Sequence, residues 1–212
     1  MYKVIATGST GNAVLYNRNI LVACGVPFAK IKPYLNTIKI VLLEHIHSDH
    51  LNLSTLKKIQ LEKPGIRIAC GEFLVEHLPG IRNIDIIEPN KWYNYGSFLI
   101  ASFWLKHDVL NFGFRLFFKQ PDGSYYKIIH ATDAADLEGI TAKGYNLYSI
   151  EHNYNKETII EKINEDRKAG RYSYAIGAMN SHLSEQQAQD FIFRNKGEKY
   201  EVLRLHESRN NL

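Results

Sequence analysis

Three histidines and one aspartate fall within six positions of the stretch LLEHIHSDHLN, residues 42–52. They are His45, His47, Asp49 and His50. The chain has 212 residues and only nine histidines, so the cluster is a concentration of a scarce residue. Imidazole nitrogen suits zinc, iron or manganese, and a carboxylate favours harder ions. A catalytic zinc usually takes three protein ligands and a water. Four candidates exceed the need of one such ion and point to two metals side by side. Paired cations polarise the attacked group and lower the pKa of water, so that hydroxide is available at neutral pH. The chemistry expected is hydrolysis. A polar loop of solvated histidines is the alternative reading, and it leaves the local concentration unexplained.

Side chains so close in sequence converge only if a rigid element delivers them. The run IKIVLLEH before the cluster is mostly apolar, as in a strand buried on both faces. If the chain is still extended where that run ends, His45 and His47 point the same way. Upstream, YKVIAT, AVLYN and NILVAC read as strands, with GSTGN as a turn. VPFAKIKPYLNTI reads as helical but is interrupted by Pro33. Downstream, Leu53, Leu56, Ile59 and Leu61 follow helical spacing, and Pro64-Gly65 ends that helix. IRIAC and NIDIIE are strands around the short helix GEFLVEHL. SFLIASFWL, NFGFRLFFK and YYKIIHAT are three more strands, the last two joined by the turn QPDGS. YNLYSIEHN is a strand, and KETIIEKINEDRKAG is a charged helix with Ile159, Ile160 and Ile163 on one side. SEQQAQDFIFRN is a helix with Ser184 as N-cap, and EVLRLHES is a final strand. This order predicts an α+β fold, a four-layer αββα sandwich in one domain spanning 1–212.

Composition narrows the function classes. Hydrophobic residues make up 45% and charged residues 23%, ordinary for a soluble globular protein. The net charge of +4 permits an anionic substrate, and no block of like charge reads as a nucleic-acid tail. Cys24 and Cys70 sit beside apolar runs and read as two buried thiols rather than a disulfide. The opening MYKVIATGSTGN lacks a long apolar stretch and a small-residue cleavage site. A cytoplasmic protein without membrane contact is therefore expected, with homo-oligomerisation left open.

HIHSDH matches the HxHxDH signature of the metallo-β-lactamase fold superfamily, and the chain resembles those hydrolases over most of its length. Its motifs look closest to the small bacterial exonuclease and ribonuclease Z-like phosphodiesterase branch. The resemblance implies that the HxH pair binds one metal and the Asp-His pair a second. It also implies three distant ligands, best filled by His107 in WLKHDVLNFGFRL, Asp133 in IIHATDAADL and His206 in VLRLHES. Asp133 would bridge the two ions, and Asp136 reads instead as a helix N-cap. Two divalent ions are implied, zinc first, with manganese or iron as alternatives. His182, in SHLSE before a helix, resembles the histidine that contacts the scissile phosphate in that branch. Ser184, Ser208 and Asn211 are the accompanying substrate-binding candidates. Asp49 and Asp133 would orient the attacking hydroxide, and His182 would donate to the phosphate or to the leaving oxygen.

The opening GSTGNAVL also resembles the family's GSxGN start, and LVACG its xxDCG strand. There Ala23 stands where an aspartate usually buttresses the ligand histidines, so strong metal binding requires that Glu44 or another group substitute for it. Asn153, Tyr154 and Asn155 stand where the exonuclease branch tends to have Asn-His-Asp, and His152 falls outside the ligand set. The leading expectation is a dinuclear phosphodiesterase or nuclease, acting on DNA, RNA or a small nucleotide. Phe103, Trp104, Tyr125 and Tyr126 are strand aromatics that stack bases only if exposed. Hydrolysis of a small carboxylic ester, lactone or thioester is the second expectation. A non-catalytic metal-binding module with a decayed site is the third.

Overall fold

The computed structural model describes residues 1–207. The chain forms two compact units, Met1–Lys91 and Trp92–Leu212. Among the described residues no helix is long and apolar enough to cross a membrane.

The first unit is built on a six-stranded sheet in sequential order. Its strands are β1 (Tyr2–Ala6), β2 (Ala13–Tyr16), β3 (Ile20–Val22), β4 (Ile40–Leu42), β5 (Arg67–Cys70) and β6 (Ile84–Ile86). β1, β2 and β3 pair antiparallel, and β3 to β6 run parallel. β2, β3 and β4 are buried at every position, as their continuous apolar runs require. Helix α1 (Phe28–Ile31) gives way to a 3-10 turn at Lys32–Tyr34, where Pro33 splits the expected helix. Helix α2 (Leu53–Glu62) starts directly after the histidine cluster, and Asn52 caps it by accepting from the Thr55 N–H at 3.0 Å. Leu56 and Ile59 are buried in the core with Leu21, Val41 and Ile68. Leu61, expected on that face, is 80% exposed. Residues 72–77, read as a helix, form a 3-10 segment.

The second unit carries a six-stranded sheet in the order β12-β11-β10-β9-β8-β7. These are β7 (Trp92–Asn94), β8 (Phe98–Leu105), β9 (Asn111–Lys119), β10 (Tyr125–Ala131), β11 (Leu147–Glu151) and β12 (Glu201–Leu205). β7 to β10 pair antiparallel, and β10, β11 and β12 run parallel. β8 and β10 are both antiparallel to β9, so the C-terminal ends of β8, β10, β11 and β12 share one edge of this sheet. Helices α3 (Lys156–Lys168), α4 (Tyr174–Ser181) and α5 (Glu185–Asn195) follow β11. Ala188, Phe191 and Ile192 of α5 pack on Ile129, Ala131, Tyr148 and Ile150 of the sheet. Ser184 caps α5 in a capping box with Gln187, worth about 1 kcal/mol. Ile159 of α3 is buried, whereas Ile160, expected beside it, is 52% exposed. Helix α4 and strand β7 have no counterpart in the sequence reading.

Phe103 lies in the core, while Trp104 and Tyr125 are exposed at the sheet surface. Asp136 caps no helix: its carboxylate accepts from the Glu138 N–H and pairs with Lys106 at 3.3 Å. Cys24 and Cys70 are free buried thiols, and burial pushes both up to about 12.

In the first unit the segment after β3 lies against the metal-motif loop. Cys24 N–H donates to His50 O at 2.8 Å, and Asn52 N–H donates to Cys24 O at 2.8 Å. A Cβ on Gly25 would stand 1.7 Å from the Asp49 carbonyl oxygen. Gly25→Ala is therefore expected to destabilise the protein by about 3 kcal/mol. An unchanged urea midpoint and slope would show that the loop can retreat.

Candidate metal centre

The first set of candidate ligands grows out of β4. Its apolar run continues through the buried Leu43 into Glu44 and His45, both fully buried. His47 and Asp49 are half-buried, and His50 is buried again. The His45 ring centroid lies 4.8 Å from that of His47 and 4.2 Å from that of His50. Asp49 Oδ2 is 3.6 Å from His50 Nε2. Three imidazoles and a carboxylate thus lie close together in one short loop, donor types that fit transition-metal ions.

Two neighbours hold this set. Glu44 Oε2 accepts from His50 Nδ1 at 2.8 Å, with both side chains without solvent exposure. That bond fixes the imidazole tautomer and leaves the Nε2 lone pair directed away from Glu44. It is the buttress that Ala23 cannot provide. Ala23 itself sits in the left-handed region at φ 60 and donates its N–H to Leu42 O. The second neighbour is Asn12 from the GSTGN turn. Its amide nitrogen lies 2.8 Å from His50 Nε2 and 3.1 Å from Asp49 Oδ2. Its side-chain oxygen accepts from the Gly8 N–H at 2.9 Å. The turn therefore grips both members of the Asp-His pair. The sequence motif marked Asn12 only as a turn residue.

The second set of candidate ligands sits at the shared edge of the other sheet. Asp133 follows β10, Glu151 ends β11, and His206 follows β12. Register pairs Ala131 with Ile150 and Glu151 with Leu205, so adjacent parallel strands deliver the three side chains side by side. Asp133 and His206 both adopt positive φ, 54 and 48, turning the chain sharply at each strand end. Asp133, Glu151, His182 and His206 each offer one ligand atom, and these atoms lie within 4.8 Å of one another. His107, from the loop after β8, donates from Nδ1 to Ser181 O at 3.0 Å, and its ring meets that of His182 edge-on at 5.5 Å. Burial pushes the His107 pKa down, against the pull of Asp133 and Asp108. A neutral imidazole is the form that binds a metal.

Glu151 organises this set. It is completely buried. Oε1 accepts from His182 Nδ1 at 2.6 Å and from His206 Nδ1 at 3.0 Å. Oε2 accepts from the N–H groups of Ala134 and Leu183 at 3.1 and 3.2 Å. Burial opposes its charge, but the His182 and His206 hydrogen bonds outweigh burial and hold the carboxyl below its ordinary range. Burial would lower the His182 pKa, yet hydrogen bonds and charge from Asp133 and Glu151 raise it to about 10. Asn153 donates to His206 O at 3.2 Å. Sequence reasoning missed Glu151, whose one signal is an acidic residue ending the buried strand LYSIE.

The remaining candidates separate clearly. His182 joins the cluster as the C-cap of α4. Ser184, expected to touch substrate, is fully buried and its hydroxyl is committed to the α5 cap. His152 Nδ1 donates to Ile150 O at 3.0 Å. Ser208 and Asn211 lie outside the described residues.

Removing Glu44 is expected to weaken metal binding about 10- to 100-fold in Glu44→Ala, with a smaller loss in Glu44→Gln. Competition with a chromophoric chelator reads this directly, and equal affinity in all three proteins would remove Glu44 from the site. Glu151→Ala strips an acceptor from two imidazoles and two N–H groups and should cost about 3 kcal/mol of stability. Denaturant unfolding of the metal-free protein measures it.

No family model matches the sequence, and no curated protein matches it. Solved structures do resemble it. The metallo-β-lactamase fold protein YhfI from Bacillus subtilis superposes with a TM-score of 0.74 at 17% identity, covering 100% of this chain and 87% of that one. The short form of human tRNase Z gives 0.70 at 15% identity, covering 98% and 92%. A long-form RNase Z from yeast gives 0.66 at 13% identity, covering 99% of this chain and 38% of the other. The chain thus has the metallo-β-lactamase fold, the α+β class that its motifs led us to expect.

Proposed function

We propose that this protein is a metal-dependent phosphodiesterase of the nuclease type. Two divalent ions, zinc first, would be held by His45, His47, Asp49, His50, His107, Asp133 and His206. When bound, such ions supply Lewis acidity and make hydroxide available at neutral pH. The chain's own residues do the rest. Glu44 and Asn12 orient His50, and Glu151 orients His206. Asp49 and Asp133 can orient the attacking water. His182, held through Nδ1, keeps its Nε2 for a phosphate oxygen or for the leaving oxygen.

The observation that carries this reading is the Glu151–His182 bond at 2.6 Å inside the cluster of Asp133 and His206. A carbonyl substrate has no need of an extra imidazole fixed beside the ligands, whereas a phosphodiester carries an anionic oxygen for it to meet. The likeness to proteins named as tRNase Z and RNase Z supports the same choice. The Glu44 buttress counts against a decayed site, because it restores what Ala23 lacks.

The test is hydrolysis of bis-p-nitrophenyl phosphate and of DNA and RNA by protein reconstituted with Zn²⁺ or Mn²⁺, with metal content measured alongside. Metal-dependent turnover is expected, and His182→Ala should lower kcat by about 100-fold. Turnover of a lactone or thioester in place of the phosphodiesters, unaffected by His182→Ala, would favour the carboxyl-ester reading. Bound metal without turnover of any substrate would refute catalysis.

A further inference from the structure

Helices α3 and α4 form a hairpin whose outer surface the fold does not use. Tyr172 is 78% exposed and Tyr174 79%, and Ile176 and Met179 continue the exposed apolar surface along α4. A contiguous exposed apolar surface, unlike scattered single residues, marks a candidate binding surface. The two tyrosines are not loose. Their rings meet edge-on with centroids 5.1 Å apart. The buried Ser173 lies between them in sequence, and Ala175 beside Tyr174 packs with Tyr154 and Ile159.

The turn that carries them is clipped shut. Gly170 takes φ 64 at the end of α3. The Arg171 N–H donates to Asp166 O at 2.9 Å, and its guanidinium donates to Asp166 Oδ1 at 2.9 and 3.2 Å. That pairing neutralises Asp166. Of the remaining charges at the tip, Arg167 and Lys168 are exposed at the end of α3, next in sequence to the paired Asp166 and to Glu165. The tip therefore joins two preset aromatic rings to a positive edge.

The other end of the same helix is in the metal centre. Ser181 O meets His107, and His182 caps α4 while bonded to Glu151. Eight residues of helix rise ~12 Å, the length of about three nucleotides stacked at about 3.4 Å. A polyanion with flat, stackable groups matches this spacing of cation, ring and catalytic imidazole. A duplex, with its bases already stacked, does not.

We propose that the α3–α4 hairpin grips single-stranded nucleic acid, stacking bases on Tyr172 and Tyr174 and meeting phosphates with Arg167 and Lys168. This rests on the phosphodiesterase reading and names its substrate class. The test is fluorescence anisotropy with a labelled single strand of about twelve nucleotides, within the usual footprint of such sites. The Kd should rise about tenfold or more in Tyr172→Ala/Tyr174→Ala, and Tyr172→Phe/Tyr174→Phe should restore it, because the ring does the stacking. A duplex of the same length should bind more weakly to the wild type. Equal Kd in the wild type and the alanine variant would overturn the proposal. So would a wild-type dimer in sedimentation that the alanine variant dissociates, since a second copy would then be the occupant. Bis-p-nitrophenyl phosphate hydrolysis on the same wild-type preparation separates the two readings. Hydrolysis without strand binding overturns the grip alone, and strand binding without hydrolysis supports the grip and overturns the phosphodiesterase.

Discussion

A carboxylate removed from water needs donors on both oxygens, and the architecture around Glu151 follows from that requirement. With no solvent exposure, it takes two imidazoles on one oxygen and two backbone N–H groups on the other. The cost of burying an unpaired charge is several kcal/mol, so the partners must arrive together. Ala134 comes from the turn after β10, Leu183 from the junction of α4 and α5, and His206 from the end of β12. One side chain thus fixes three chain segments that are remote in sequence.

The first unit solves the same problem with fewer parts. Glu44 is buried behind His50, and Asn12 closes the front. In both units the acid lies at the C-terminal end of a parallel strand, where the ladder stops and backbone groups become available. Parallel pairing matters here, because neighbouring strands then present the same end. Asp133, Glu151 and His206 are adjacent for that reason and not through any local motif.

Much of this was readable in the residues themselves. The buried run before His45 announced a strand, and the histidine spacing announced a cluster of candidate ligands. His107, Asp133 and His206 each follow an apolar strand, and Ser184 carries its helix-cap signature. Other features left little trace. Glu151 reads as an ordinary charge at a strand end, because burial is a property of the packed sheet. Asn12 reads as turn chemistry, since its amide reaches Asp49 across thirty-seven positions. Helix α4 has a glycine in its middle and a weak apolar stripe, so tertiary contacts decide it. Leu61 and Ile160 show that periodicity marks a helix face without saying how deep each residue on it will lie.

The clipped turn between α3 and α4 has a meaning beyond binding. His182 and Leu183 are fastened to Glu151, while residues 170–173 bend back through contacts of their own. Length and composition at that bend can change without moving the imidazole at the far end of α4. The chain therefore separates the strand-end cluster from the bend, so selection can retune what the bend grips while leaving that cluster intact.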